Sequence, residues 1–142
     1  MSNYTDKELD DVWAKGRKIS DKDPNEYRLD AAGALMKRSH LGKDDEFDWE
    51  VDHVFPKHRL EEEGIPEKDW NKMANLRPFN AKNNGSKSDD YPQYTRSLIY
   101  DEAEDKNISS DTRMVVNEDV QMGINSCYGF DFPIVEGAHS DN

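Results

Sequence analysis

The chain has 142 residues, a length typical of one domain. Hydrophobic residues make up 34% of it and charged residues 35%, which predicts a small core and long polar loops. No apolar run approaches the roughly 20 residues that cross a bilayer, so we exclude a membrane-spanning protein. The N-terminus is polar and lacks the apolar segment of a secretory signal, and the one cysteine, Cys127, has no internal partner. These features predict a cytoplasmic protein with no membrane partner.

Acidic residues are concentrated at both ends of the chain, and the formal net charge is −12. Residues 1–52 contain 14 acidic and 9 basic residues, residues 53–96 contain 7 and 8, and residues 97–142 contain 10 and 2. Binding of nucleic acid by bulk attraction depends on cations that neutralise phosphates, and the chain as a whole is poor in them. Only the middle segment carries a charge compatible with a nucleic-acid partner.

The first half of the sequence predicts one helix and one strand. Residues 5–8 have the form of a capping box and apolar residues follow at helical spacing, which predicts a helix over residues 6–17. Residues 27–42 are ambiguous, because residues 31–36 fit either a buried strand or a short helix, and we favour irregular structure that leads into a strand. Residues 47–52 alternate aromatic or apolar with acidic residues, the period of a half-buried strand. Pro56 ends regular strand pairing.

The second half contains shorter elements. Residues 75–78 predict a second strand that ends at a proline, and residues 79–87 predict a short helix rich in Asn and Lys. Residues 101–111 have the composition of a mobile charged linker. A strand at residues 114–116 and a helix with Asn117 as its cap and Gly129 at its end come next. The tail after Val135 is predicted to be disordered.

The residues that can carry chemistry lie between these predicted elements, in the middle segment. A divalent cation that activates a phosphodiester needs hard oxygen ligands, and a carboxylate at the end of a strand and an amide of a following helix can supply two of them. A neutral imidazole beside that cation can take a proton from water at physiological pH. Asp52 and His53 point to opposite faces of a continuous strand, but at a strand end they can flank one phosphate.

The pattern of these residues resembles the HNH endonuclease family over residues 27–92, and most specifically over residues 49–88. It is most similar to the Asp-His…Asn…Asn variant, which includes the HNH module of CRISPR effector nucleases. The resemblance implies an α+β protein with a ββα-metal core, to which the sequence adds the predicted N-terminal helix and an acidic C-terminal extension. The similarity is carried by Asp52-His53-Val54-Phe55-Pro56, Asn75-Leu76-Arg77-Pro78 and Asn84-Gly85-Ser86-Lys87-Ser88.

The resemblance also implies a role for each residue of the motif. His53 corresponds to the general base that activates water, and Asp52 and Asn84 correspond to the ligands of one Mg²⁺ or Mn²⁺ ion. Asn83 is the alternative to Asn84 as the ligand. Asn75 corresponds to the residue that orients the loop behind the base.

Two basic residues of the motif, Lys87 and Arg77, are expected to bind phosphate. Many family members hold a structural zinc with two Cys-x-x-Cys pairs, and this chain has no cysteines there. We therefore expect no structural zinc, and we expect packing by Trp49, Leu35 and Phe79 to support the site instead. The connection from His58 to residue 74 is also longer than the glycine turn of many members.

The expected function is that of a metal-dependent DNA endonuclease, with residues 1–96 as the nuclease domain and its N-terminal helix. Residues 97–142 are expected to form an acidic extension packed on, or tethered to, that core. DNA is the expected partner, and the extension is a possible docking site for a protein partner. One alternative is a nuclease subunit of a larger complex that supplies the missing DNA affinity.

A second alternative is a catalytically silent acidic scaffold that binds a basic protein or mimics DNA. The motif residues also have simpler interpretations. Asp52 and His53 are compatible with a polar pair at a strand end, and Asn84-Gly85 with a plain turn. Lys87 is compatible with a solvated cation at a helix end.

Overall fold

The structure, a computed structural model, describes residues 4–142. This range contains four helices and eight short strands. The helices are α1 (Asp6–Trp13), α2 (Lys57–Glu62), α3 (Ala81–Lys87) and α4 (Glu118–Tyr128). The strands are β1 (Tyr27–Leu29), β2 (Leu35–Lys37), β3 (Trp49–His53), β4 (Leu76–Asn80), β5 (Gln93–Thr95), β6 (Leu98–Asp101), β7 (Lys106–Ser109) and β8 (Arg113–Val115). They pair as four two-stranded antiparallel sheets, β1–β2, β3–β4, β5–β8 and β6–β7. The predicted α+β class is confirmed. None of the helices within residues 4–142 combines the length and apolarity needed to cross a membrane.

Helix α1 begins with the predicted capping box. The Thr5 hydroxyl accepts from the Glu8 amide at 3.1 Å, and the Glu8 carboxylate accepts from the Thr5 amide at 2.9 Å. The helix ends at Trp13, earlier than predicted, because the chain then turns so that Arg17 and Leu29 can exchange backbone hydrogen bonds. The early end brings the N-terminal segment against strand β1.

Residues 27–42 contain two strands, which resolves the ambiguity of that segment. Strands β1 and β2 pair across a turn that begins at Asp30. The backbone of Gly33 in this turn has a φ of +99°, a conformation that a residue with a side chain adopts only under strain. The hairpin leads into a short 3₁₀ turn at Arg38–His40 before strand β3 begins.

Strands β3 and β4 form the ribbon that places the motif residues. Their register sets Asp52 opposite Arg77 and His53 opposite Leu76. Strand β4 pairs with β3 alone, so its other edge carries no ladder hydrogen bonds. Pro78, which has no N–H, is accommodated because its backbone nitrogen faces that free edge. Helix α3 follows β4 directly, so ribbon and helix are continuous in the chain.

The ribbon is packed between two groups of buried apolar side chains. Trp49, Leu35 and Phe79 are all buried, as the sequence predicted. One group contains Leu9, Val12, Trp13, Met36, Trp49 and Leu76. The other contains Ala32, Val54, Phe55, Leu60, Phe79, Tyr94, Met114, Val116 and Ile124. Because each group includes residues of both the ribbon and other elements, the ends of β3 and β4 have a fixed environment.

The predicted charged linker at residues 101–111 is wrong. Strands β6 and β7 form a hairpin across it, with Tyr100 donating from its hydroxyl to Asp105 at 2.6 Å in the turn. The predicted helix after it is confirmed, with Asn117 as its N-cap and Gly129 at its C-terminus in the left-handed conformation, φ +70°. Strand β8 pairs with β5, which joins the extension to the segment that follows α3.

The predicted disordered tail is also wrong. The Val115 amide donates to the His139 carbonyl at 3.0 Å, and the Asp141 amide donates to the Val115 carbonyl at 2.8 Å. The Asn142 amide donates to the Ala31 carbonyl at 3.1 Å. Asp141 is only 3% exposed, so the tail delivers a carboxylate to the interior. Composition missed this because the segment is polar and its partners are distant in sequence.

Candidate functional site

An open cleft of about 230 Å³ lies where strand β3 ends. Asp52 and His53 line it from the ribbon, and Asn84 lines it from helix α3. The remaining lining residues are Val51, Pro56, Lys57, Ser88 and Asp89. The structure thus brings the three central residues of the sequence motif to one cleft, although Asn84 is 31 positions beyond His53 in the chain.

His53 has one ring nitrogen in a short hydrogen bond. Its Nε2 lies 2.7 Å from Oδ1 of Asn71, an exposed residue that the sequence analysis did not single out. Burial lowers the pKa of His53, the bond to Asn71 acts in the opposite direction, and the charge of Lys57 lowers it further. An amide oxygen only accepts, so Nε2 carries the hydrogen, and Nδ1 holds the lone pair of the neutral ring.

Asp52 is buried, 4% exposed, and lies between two cations. Its Oδ2 accepts from Arg77 Nε at 3.2 Å, and its Oδ1 lies 3.5 Å from Lys87 Nζ. The register of the ribbon explains the first contact, since Arg77 is directly across from Asp52. The second contact is longer than an ordinary hydrogen bond, so Oδ1 is the oxygen less committed to a protein partner.

The side chain of Asn84 is oriented by a hydrogen bond to Glu50 of strand β3. Its Nδ2 donates to Oε1 of Glu50 at 2.8 Å, which turns the amide so that its oxygen is at the opposite end. Asn83, the alternative ligand, is buried instead, and its Nδ2 donates to Asp30 at 3.1 Å. Asp30 also accepts from the amide of Asn80 at 3.0 Å, the residue that caps helix α3. This buried network fixes the helix, and its long-range partners gave no signal in the sequence.

Asn75 and Lys87 both hold the two residues that follow His53. Asn75 Oδ1 accepts from the amide of Phe55 at 2.7 Å, and its Nδ2 donates to the carbonyl of Phe55 at 3.0 Å. The Asn75 carbonyl accepts from the amide of Val54 at 2.9 Å. Lys87 Nζ donates to the carbonyl of Val54 at 3.0 Å. These contacts are of the kind that a loop-orienting residue requires.

The two residues expected to bind phosphate are in the interior of the protein. Lys87 is fully buried, and Arg77 is 5% exposed. They are drawn inward because the carboxylate of Asp52 is desolvated and an unpaired charge there would be costly. Neither side chain is presented to a surface phosphate in this conformation. The exposed cation that lines the cleft is Lys57, the first residue of α2, which the sequence analysis did not select.

A wider groove of about 720 Å³ adjoins the cleft. It shares Val51, His53, Lys57 and Asn84 with the cleft and extends over apolar side chains that include Leu9 and Leu41. His53 and Asn84 are therefore accessible from an extended surface as well as from the cleft.

The donor set of the cleft is compatible with a hard divalent cation. The carboxylate of Asp52 and the amide oxygen of Asn84 are ligands of the type that Mg²⁺ accepts, with water and phosphate oxygens for the other positions. No group of three or more His, Cys, Asp or Glu side chains within residues 4–142 is placed to hold a metal ion, so any site here depends on the amide. The residues fit one weakly held ion, and the charges of Arg77 and Lys87 oppose its binding.

Comparison with protein-family models, with curated proteins and with solved structures finds no match to this chain. The function is therefore inferred from the residues of the cleft and their geometry.

Proposed function

We propose that this protein is a metal-dependent DNA endonuclease of the ββα-metal type. The observation that carries the proposal is that Asp52, His53 and Asn84 line one cleft at the end of an antiparallel ribbon followed by a helix. A hydrolase acting on phosphodiester bonds needs a base for water and a stabiliser of developing negative charge, and these residue types can provide both.

His53 acts as the general base. Its neutral form is favoured at neutral pH, because burial lowers its pKa. Asn71 holds the Nε2–H and so fixes the orientation of the ring, which leaves Nδ1 to accept the proton of the attacking water. The hydrogen bonds from Asn75 to Phe55 and from Lys87 to Val54 hold the backbone that follows His53 and so keep the base in position.

Asp52 and Asn84 are the residues that would hold Mg²⁺ or Mn²⁺. When bound, the ion would supply charge stabilisation at the phosphate and at the leaving oxygen. Asp52 contributes a carboxylate already fixed by Arg77, and Asn84 contributes an amide already fixed by Glu50. Both donors are therefore preorganised before substrate arrives.

Lys57 takes the role of phosphate contact that the sequence analysis gave to Lys87 and Arg77. It is exposed and lines both the cleft and the adjoining groove. Lys87 and Arg77 instead balance the charge of Asp52. Because one lysine neutralises little of a DNA backbone, intrinsic DNA affinity is expected to be low.

The deciding experiment is cleavage of plasmid DNA with Mg²⁺ or Mn²⁺ by the His53→Ala variant. Loss of a general base is expected to reduce the rate by about 10²–10⁴-fold. His58→Ala is the matched control, because His58 is an exposed histidine five positions away that pairs with Glu62. Undiminished cleavage by His53→Ala, with His58→Ala equal to it, would remove the proposed mechanism.

A non-catalytic function is favoured by a separate observation. The net charge is −12, and both expected phosphate contacts are buried, so the surface presents mainly acidic groups. A scaffold that binds a basic protein or mimics DNA would show no cleavage with any divalent ion. Its binding to a basic partner would weaken as the salt concentration rises. The acidic extension is the surface on which a protein partner would dock in either case.

A further inference from the structure

A carboxylate from the last residues of the described chain reaches the interior beside the proposed metal-binding residues. Asp141 Oδ2 lies 3.0 Å from Arg77 Nη1 and accepts from the Tyr94 hydroxyl at 2.7 Å. Its Oδ1 accepts from the amide of Asn117 at 2.8 Å. Every oxygen of this carboxylate is thus engaged, and the residue is buried.

Arg77 lies between two carboxylates. Its Nε donates to Asp52 and its Nη1 to Asp141, and both acids are buried with it. Its Nη2 is buried without a hydrogen-bond partner among residues 4–142. Asp52 and Asp141 are its ion-pair partners, and the buried carboxylate of Asp30 also interacts with its charge.

Within the ion pairs around Asp52 the charges balance. Asp52 and Asp141 carry one negative charge each, and Arg77 and Lys87 carry one positive charge each. Lys87 Nζ is 3.5 Å from Asp52 Oδ1, the oxygen left for an ion. Loss of one acid would leave a net positive group directly behind that oxygen.

We propose that Asp141 is a positioning residue for the cation site at Asp52, and that it acts by sharing the charge of Arg77. This inference rests on the proposed function. With Asp141 present, the guanidinium is divided between two acids, and Asp52 keeps enough negative potential to bind a divalent ion. Without Asp141, Arg77 is ion-paired with Asp52 alone. The positive charge that is then uncompensated repels an approaching divalent cation. The C-terminal segment would thus set the metal affinity of a site 64 residues away in the sequence.

The test is the affinity of the whole protein for Mn²⁺ alone, measured by electron paramagnetic resonance of the free ion. Asp141→Asn keeps the shape and one of the two acceptor oxygens but removes the charge, and it is expected to weaken Mn²⁺ binding by about tenfold. Tyr94→Phe is the matched control, since it removes a hydrogen bond to the same carboxylate and no charge. Its expected change in affinity is less than about twofold.

A rescue variant separates charge from geometry and covers the case that Asp141→Asn does not fold alone. Lys87→Gln keeps a donor for the carbonyl of Val54 and removes one positive charge, so the double variant with Asp141→Asn is balanced again. The double variant is expected to bind Mn²⁺ about as tightly as the natural protein, and about tenfold more weakly than Lys87→Gln alone.

The outcomes distinguish this inference from the proposed function. Equal Mn²⁺ affinity of the natural protein and Asp141→Asn, or of Lys87→Gln and the double variant, would overturn the role of Asp141 alone. Absence of Mn²⁺ binding by the natural protein, or binding that survives Asp52→Asn unchanged, would overturn the cation site and the role of Asp141 with it.

Discussion

The ribbon and helix of residues 49–87 and the C-terminal extension of residues 97–142 differ in how their structure is determined. In the first region, alternation along β3 and the register with β4 place Asp52 across from Arg77. In the second, a polar tail is ordered by a buried carboxylate whose partner, Arg77, lies 64 residues earlier. Local pattern organises the first region, and long-range charge pairing organises the second.

The two regions meet at one side chain. Arg77 belongs to β4, yet one of its two ion pairs is with the extension. Because burial opposes the charge of a guanidinium while Asp141 and the other acids favour it, the pKa of Arg77 remains above its ordinary value. The acidic extension is therefore a structural part of the candidate site as well as an outer surface.

The largest expected effect on stability is in the ribbon. Asn75→Ala removes two buried hydrogen bonds to the backbone of Phe55 and leaves that amide and carbonyl without their partner. We expect the free energy of unfolding to fall by about 3 kcal/mol, measured by urea denaturation. Asn125→Ala is the comparison in the extension, because it removes a hydrogen bond to the Phe132 carbonyl. An equal fall in the free energy of unfolding would show that the extension depends on single side-chain amides as strongly as the ribbon does. A larger loss for Asn125→Ala would reverse the comparison.

A smaller effect is expected at the end of helix α4 in the extension. Gly129→Ala places a side chain at a φ of +70° and should lower the free energy of unfolding by about 1 kcal/mol. Gly123→Ala is its control, because Gly123 lies inside the same helix with open space around it. That change should raise stability by about 0.5–1 kcal/mol. Thermal unfolding of the two variants checks the signs, and a loss in both would mean that α4 is not helical at residue 123.

The smallest expected effect is on the titration of His53. Asn71→Ala removes a bond that favours the protonated ring, so the pKa of His53 should fall further, whereas Asn71→Asp should raise it. Proton–nitrogen correlation spectra of the histidine rings report both the pKa and the tautomer. The cleavage rate at pH 6 should change by less than about threefold in either variant. A predominant Nδ1–H tautomer in the natural protein would contradict the assigned orientation.

The same shift predicts how stability depends on pH. The pKa of His53 is lower in the folded protein than in the unfolded chain, so the unfolded chain binds more protons between the two values. The contribution of the neutral ring is fully present above about pH 6.5 and is lost as the pH falls towards the folded pKa. His53→Ala should therefore flatten the pH dependence of unfolding in that interval, and an unchanged slope would show that the ring is not desolvated.

The sequence was sufficient for features that depend on neighbouring residues. The capping box of α1, the alternating strand β3 and the caps of α4 at Asn117 and Gly129 are local patterns, and the structure has each of them. Asp52 and His53 are adjacent on β3, but Asn84 follows 31 positions after His53, and the fold brings it to their cleft. The residues that support them, Asn71 and Asp30, have no such pattern.

Only the tertiary structure decided which charges are exposed and which are buried. Lys87, Arg77 and Asp141 are ordinary charged residues in the sequence, and each could face water. Folding buries Asp52 at the ribbon end, and its desolvated carboxylate is stabilised by the buried cations Arg77 and Lys87. These cations in turn require the further buried acid Asp141. Coulomb attraction between residues that the chain brings together from far apart is independent of their spacing in sequence, and so no pattern along the chain predicts it.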